Sequence, residues 1–154
     1  MSGLINSAGS KSGVIGTTEL DYEEGEWTGV VTDGTNNMTM NGSWTTGFYT
    51  KIGNIVTVSG QFITTAVGSA SGGIRLAGLP FTSFNNGSVH GGTTAGYASG
   101  LNITAGHTVG FYIGPNSTSI NFHVWDATTG TTSMTAAEWT ADGAIIFEFS
   151  YRAA

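Results

Sequence analysis

From Trp27 to the C-terminus, apolar and polar positions alternate with a repeat close to two, the signature of strands that bury one face. The clearest case is residues 144–151, where Ile145, Phe147, Phe149 and Tyr151 share one side and Ile146, Glu148 and Ser150 the other. This pattern predicts a central strand near the end of the fold. Residues 52–65 place Val56, Val58 and Phe62 on one face with Gly60 between them, which predicts a strand bent or bulged at that glycine. Residues 108–113 and 118–125 read as a hairpin around Gly114-Pro115-Asn116-Ser117, whose residue types favour a turn. Asp33-Gly34, Asn41-Gly42, Asn86-Gly87 and Asp142-Gly143 mark further turns, and Thr135 to Trp139 is long enough for only a turn or two of helix. Many short strands without long helices predict an all-β fold, an antiparallel jelly-roll-like sandwich.

The first 26 residues differ in kind. Leu4 and Ile5, then Val14 and Ile15, stand among Ser, Ala and Gly, and no aromatic residue precedes Tyr22. So little apolar bulk cannot offset the entropy of ordering the segment, so it needs neighbouring chains. Glu19, Asp21, Glu23, Glu24 and Glu26 are half of the 10 acids. The chain therefore divides into a short extended N-terminal arm with an acidic neck, residues 1–26, and a β-sandwich body, residues 27–154. Leu4, Ile5, Val14, Ile15, Leu20 and Tyr22 are the candidate contacts to sister chains and to a docking partner. The acidic necks of sister chains brought together would repel one another. Outward pointing, bound cations or a basic docking surface would relieve that repulsion.

Composition narrows the partners. Only 9% of the 154 residues are charged, so Thr, Ser, Asn and Gly supply most of the polarity. A net charge of -6 leaves no basic field for nucleic acid or anionic lipid. The absence of Cys removes disulfides, thiolate zinc sites and a cysteine nucleophile. Neither a secretory apolar region nor a bilayer-length apolar run is visible, so a soluble protein made in the cytoplasm is expected, with no membrane insertion.

Candidate chemistry is sparse. A glycosidase needs two carboxylates about 5–9.5 Å apart. Beyond the neck the chain offers Asp33, Asp126, Glu138, Asp142 and Glu148. Asp142 reads as a turn residue, and Glu148 as a cross-strand partner for Arg75, Arg152 or Lys51. His90 and His107 read as loop residues, while His123 alternates with Phe122 and Val124 and would face an axis or a core hydrogen bond. Asp33-Gly34-Thr35-Asn36-Asn37 and the alternating Glu19, Asp21 and Glu23 are the oxygen-rich segments closest to a calcium site, though neither matches a defined loop. No catalytic residue, metal site or cofactor is expected. Trp44, Phe48, Tyr49, Tyr97, Tyr112 and Trp125 could stack on sugar rings, but aromatics dominate core burial and most of the six are expected to pack inward. Tyr97 and Trp125 are retained as candidate receptor contacts.

Four stretches carry a resemblance. Ser12-Gly13-Val14-Ile15-Gly16 followed by Asp21-Tyr22-Glu23-Glu24-Gly25-Glu26-Trp27-Thr28 resembles the opening of C-terminal β-sandwich knob domains in tailed-phage fibre and other virion structural proteins. Residues 49–60, Gly78-Leu79-Pro80-Phe81-Thr82 and the ending Phe149-Ser150-Tyr151-Arg152-Ala153 follow in order. The chain departs at Gly29, where that family often has Pro, and in the loops of residues 85–100. The resemblance implies a homotrimeric, non-enzymatic knob on the virion surface of a bacteriophage. The expected function is host attachment through a surface glycan or protein, with the arm docked on another virion protein. A capsid decoration or short head-fibre protein is the alternative, favoured by the shortness of the arm. A glycan depolymerase lacks its carboxylate pair.

Overall fold

The computed structural model describes residues 21–87 and 91–154; Leu4, Ile5, Val14, Ile15, Glu19, Leu20 and His90 lie outside them. In chain order the strands are β1 Tyr22–Thr28, β2 Val30–Thr32, β3 Thr39–Met40, β4 Thr46–Ile52, β5 Ile55–Ala66 and β6 Arg75–Ala77. They continue as β7 Gly92–Thr94, β8 Tyr97–Leu101, β9 Val109–Ile113, β10 Ser119–Ala127, β11 Gly130–Ser133 and β12 Trp139–Arg152. Two antiparallel sheets result, one ordered β1-β4-β5-β12-β8 with β3 added to β5, the other β2-β6-β10-β9-β7 with β11 added to β10. The fold is the expected all-β sandwich.

The alternation in the sequence becomes the two faces of each sheet. Ile145, Phe147, Phe149 and Tyr151 are buried, and β12 lies between β5 and β8 as a central strand should. β9 and β10 form the expected hairpin, with Asn116 at φ 49 in its turn. Thr135 caps a single 3-10 turn, Ala136–Glu138. Inside, aromatic rings run from sheet to sheet. Trp27 meets Phe62 at 5.0 Å between centroids, Phe62 meets Phe147 at 5.9 Å, Phe147 meets Phe111 at 5.5 Å and Phe111 meets Phe122 at 5.1 Å. Trp139 ends the row on Phe122, and its Nε1 donates to buried Thr64 Oγ1 at 2.8 Å, which itself donates to Ala141 O at 2.8 Å. A Thr64→Val change keeps the shape but orphans the buried indole N–H. It is expected to cost about 1–3 kcal/mol, seen as a lower urea midpoint with an unchanged slope.

Several expectations need correction. Gly60 makes no bulge, because its pairing to both Gly47 and Phe147 is in unbroken register. What the position requires is space: a Cβ there would stand 2.6 Å from Phe62 Cε2. The body also begins earlier than residue 27. β1 starts at Tyr22, and Glu23, Glu24 and Glu26 belong to a paired edge strand of the first sheet. Such charges on an edge discourage unwanted strand addition. Gly29, where the chain passes from β1 in one sheet to β2 in the other, donates its N–H to Thr45 O at 2.9 Å. Proline has no N–H to give, which accounts for the departure there from the resembled pattern.

The described parts of the resembling stretches converge at one end of the sandwich. Tyr49 Oη donates to Glu23 Oε1 at 2.7 Å, and its ring meets Phe81 edge-on at 5.3 Å. Tyr151 Oη donates to Phe81 O at 2.9 Å, and burial pushes its pKa up to about 12 despite that bond. Lys51 pairs with Asp21 at 2.6 Å and lies 5.7 Å from the Phe81 ring centroid. In the described part of these stretches, the shared residues hold the fold together.

Candidate functional site

Most of the carboxylates beyond the neck serve local structure. Asp33 accepts the N–H groups of Asn36 at 2.7 Å, Ser71 at 2.8 Å and Thr35 at 2.7 Å, with the Asn36 amide at 3.2 Å, tying two loops together. Those bonds, Asn36 foremost, hold its carboxyl far below the usual range. Because the folded value is depressed, the stabilisation is present above the ordinary value of 3.8 and is lost as pH falls through the folded value. Urea midpoints are expected to drop between about pH 5 and about pH 2, and an Asp33→Asn variant to show a shallower drop.

Asp126 accepts the Thr132 N–H at 3.2 Å and the Thr132 hydroxyl at 2.9 Å, and Glu138 closes the capping box on Thr135. Asp142 accepts the Thr140 hydroxyl at 2.6 Å, which lowers its pKa. Glu148 is exposed on the outer face of β12 opposite Ser59, and no ion pair with Arg75, Arg152 or Lys51 forms among the described residues. The expected cross-strand partner is therefore absent. Exposure removes the need for one, since water solvates the carboxylate. Among the described residues no group of three or more His, Asp or Glu is placed to hold a metal ion.

The aromatic residues are placed differently from expectation. Of the six candidates only Tyr49 packs inward, while Trp44, Phe48, Tyr97, Tyr112 and Trp125 are exposed. The core rings come from other positions, those at the inward register. Trp44 sits in the turn before β4, where its N–H donates to Asn41 O at 2.8 Å, and the other four divide between the two outer faces.

On the first sheet, Tyr22 lies opposite Ile52, Ile52 opposite Ile55, and Tyr97 opposite Ile146. Phe48 stands between these pairs on the same face and is 58% exposed. Six large apolar side chains thus share one outer face with Thr50, Thr57, Ser59 and Ser150. The face also carries four charged residues: Glu24 and Glu26 on edge strand β1, Glu148, and Arg152, whose guanidinium lies over Phe84 at 5.0 Å. The polar row Glu24–Thr50–Thr57–Ser150 separates the apolar row Tyr22–Ile52–Ile55 at one end from Phe48, so that end row is the apolar patch available for an interaction.

The second sheet carries a smaller feature. Trp125, 57% exposed, and Tyr112, 40% exposed, flank His123 in a groove of about 270 Å³. Tyr112 meets His123 at 4.8 Å between ring centroids, and His123 Nδ1 shares a 3.2 Å hydrogen bond with the Thr131 hydroxyl. Burial lowers the His123 pKa, favouring the uncharged ring. Gly110 pairs with His123 in the floor of the groove, and a Cβ at Gly110 would come within 3.4 Å of Trp125 Nε1. Thr93 and Thr94 of β7 form the far wall. His123 thus faces this groove, outside the core. Tyr97 and Trp125 do not come together: Tyr97 lines a separate groove of about 410 Å³ with Leu101 and His107. The glycine beneath the indole and the threonines around it escaped the sequence reading, although the hairpin register that pairs Gly110 with His123 follows from the turn.

No family model matches the chain, and no curated protein does. Among solved structures, the fold is similar to part of the crystal structure of the Dettilon tailspike protein (gp208), with a TM-score of 0.74 and 19% identity. The likeness covers 85% of this chain and 24% of that one, so the sandwich corresponds to about a quarter of a longer protein.

Proposed function

We propose that this chain is a non-enzymatic surface protein of a bacteriophage particle, a homotrimer that attaches the particle to its host. The observation that carries this reading is the contrast between the two outer faces of the sandwich. One carries the exposed apolar row Tyr22–Ile52–Ile55 at its end, suited to packing against copies of the chain. The other is polar and holds a small aromatic groove, suited to a ligand. The tailspike likeness of the fold and the resembling stretches support placement on a virion. The structural engagement of Asp33, Asp126, Glu138 and Asp142 supports binding without catalysis.

In the trimer, the row Tyr22–Ile52–Ile55 lies beside the shared axis. The described chain begins at Asp21, next to this row, and Gly53 N–H donates to Asp21 O at 2.7 Å. The apolar pairs Leu4-Ile5 and Val14-Ile15 precede this row in the chain, and in this reading sister chains bury them. The arm then docks on another virion protein. The test is competition: excess purified chain should block adsorption of the intact particle to host cells, and antibody labelling should place the chain at the adsorbing end. Unimpeded adsorption with label confined to the shell would replace attachment by capsid decoration.

A further inference from the structure

We propose that the groove between Trp125 and Tyr112 is a saccharide site that takes an uncharged sugar ring. This deepens the attachment reading and rests on it. The chemistry of the groove carries the assignment. Sugar rings present patches of C–H to an aromatic face and hydroxyls at their rim. Trp125 offers an exposed ring on the outer face of the sheet and Tyr112 a second across His123, while the absence of a side chain at buried Gly110 lets the Trp125 indole lie low over the sheet. Around these faces stand groups that both give and accept hydrogen bonds: the hydroxyls of Thr94, Thr131 and Tyr112 and the His123 ring. At about 270 Å³ the groove lies just under the roughly 300–1,000 Å³ of drug-sized ligand pockets, a size suited to one or two sugar rings.

The lack of charge sets the class. No Lys, Arg, Asp or Glu lines the groove. The adjacent Asp126 is turned aside by its bonds to Thr132. A uronic or sialic acid would bring a carboxylate with no cation to meet it, and stripping its water without a partner is costly. A neutral hexose incurs no such penalty.

The test is ligand-observed NMR with the full chain against neutral hexasaccharides of glucose, mannose and galactose, alongside oligogalacturonate and oligosialic acid. At least one neutral member should bind. Trp125→Ala and Tyr112→Ala should each weaken it by about tenfold or more, while Tyr97→Ala leaves it unchanged. Both groove residues are exposed, so thermal melts of the variants should match the parent. No binding by any neutral member, binding that survives both groove substitutions, or equal binding of the anionic oligomers would overturn the assignment. The adsorption assay separates this from the attachment reading. Competition without sugar binding sinks only the saccharide site, and sugar binding without competition sinks only attachment.

Discussion

Phe62→Ala is expected to destabilise the fold by about 3–5 kcal/mol, the range for removing a buried aromatic ring from a packed core. Phe62 has no solvent exposure and joins Trp27 to Phe147 in the row of rings that crosses from one sheet to the other. Its loss leaves a cavity that rigid neighbours on both sides cannot close. For a domain of this size each kcal/mol corresponds to roughly 2–4 °C, so the melting temperature should fall by about 6–20 °C. Phe48→Ala is the matched control. Phe48 lies on β4 of the same sheet but faces outward, and in the isolated chain its removal should change stability by no more than about 0.5 kcal/mol. Calorimetry of the two variants would show whether the row of rings holds the sheets together. Equal shifts would deny the distinction between inner and outer aromatics.

The second large effect concerns assembly. A double variant, Ile52→Glu with Ile55→Glu, should leave the fold of each chain intact and abolish its association. Both side chains are half exposed at the turn between β4 and β5 and make no part of the core cluster. In the proposed trimer each isoleucine buried at the interface would contribute roughly 1.5–3 kcal/mol, and 1.4 kcal/mol is a factor of about ten in the equilibrium constant. Losing two per chain, with six new negative charges in a row flanked by Tyr22, Arg152 and the diagonal Glu24, shifts association by several orders of magnitude. Light scattering across a dilution series would read this as a fall from three chains to one with an unchanged far-UV spectrum. A parent that is already monomeric, or a variant that remains trimeric, would remove the row Tyr22–Ile52–Ile55 from the interface.

Strand identity was legible wherever apolar residues alternate with polar ones, as along β12 and in the β9–β10 hairpin. Alternation sets the inward side because only one face of each strand can join the core. It fails where both faces are apolar. Phe48 and Tyr49 are adjacent, and nothing in their order says which turns inward; the pairing of β4 with β5 decides it, placing Tyr49 against Phe81 and Phe48 in the open. Ile145 and Ile146 pose the same ambiguity. The apolar outer face was hidden for this reason, since its members come from β1, β4, β5, β8 and β12 and are brought together only by sheet order. Trp125 stood out in the sequence as an aromatic beside a loop. Its neighbours did not, because a glycine beneath the indole and the threonines around it have no signature until a register aligns them. Glu148 shows the opposite error: its apolar neighbours suggested burial with a partner, yet strand alternation places it outward, in water.

The central claim is that the outer face of the first sheet is where copies of the chain meet. The chain contains no cysteine, so a single introduced thiol reports on its own position. Cross-linking full-length Ile55→Cys and Thr131→Cys variants with a short bis-maleimide tests the claim most directly. Covalent ladders ending at three chains should form from Ile55→Cys, on the apolar face, while Thr131→Cys, beside the aromatic groove, stays at the mass of one chain. Ladders from Thr131→Cys with none from Ile55→Cys would put the interface on the opposite face and contradict the account.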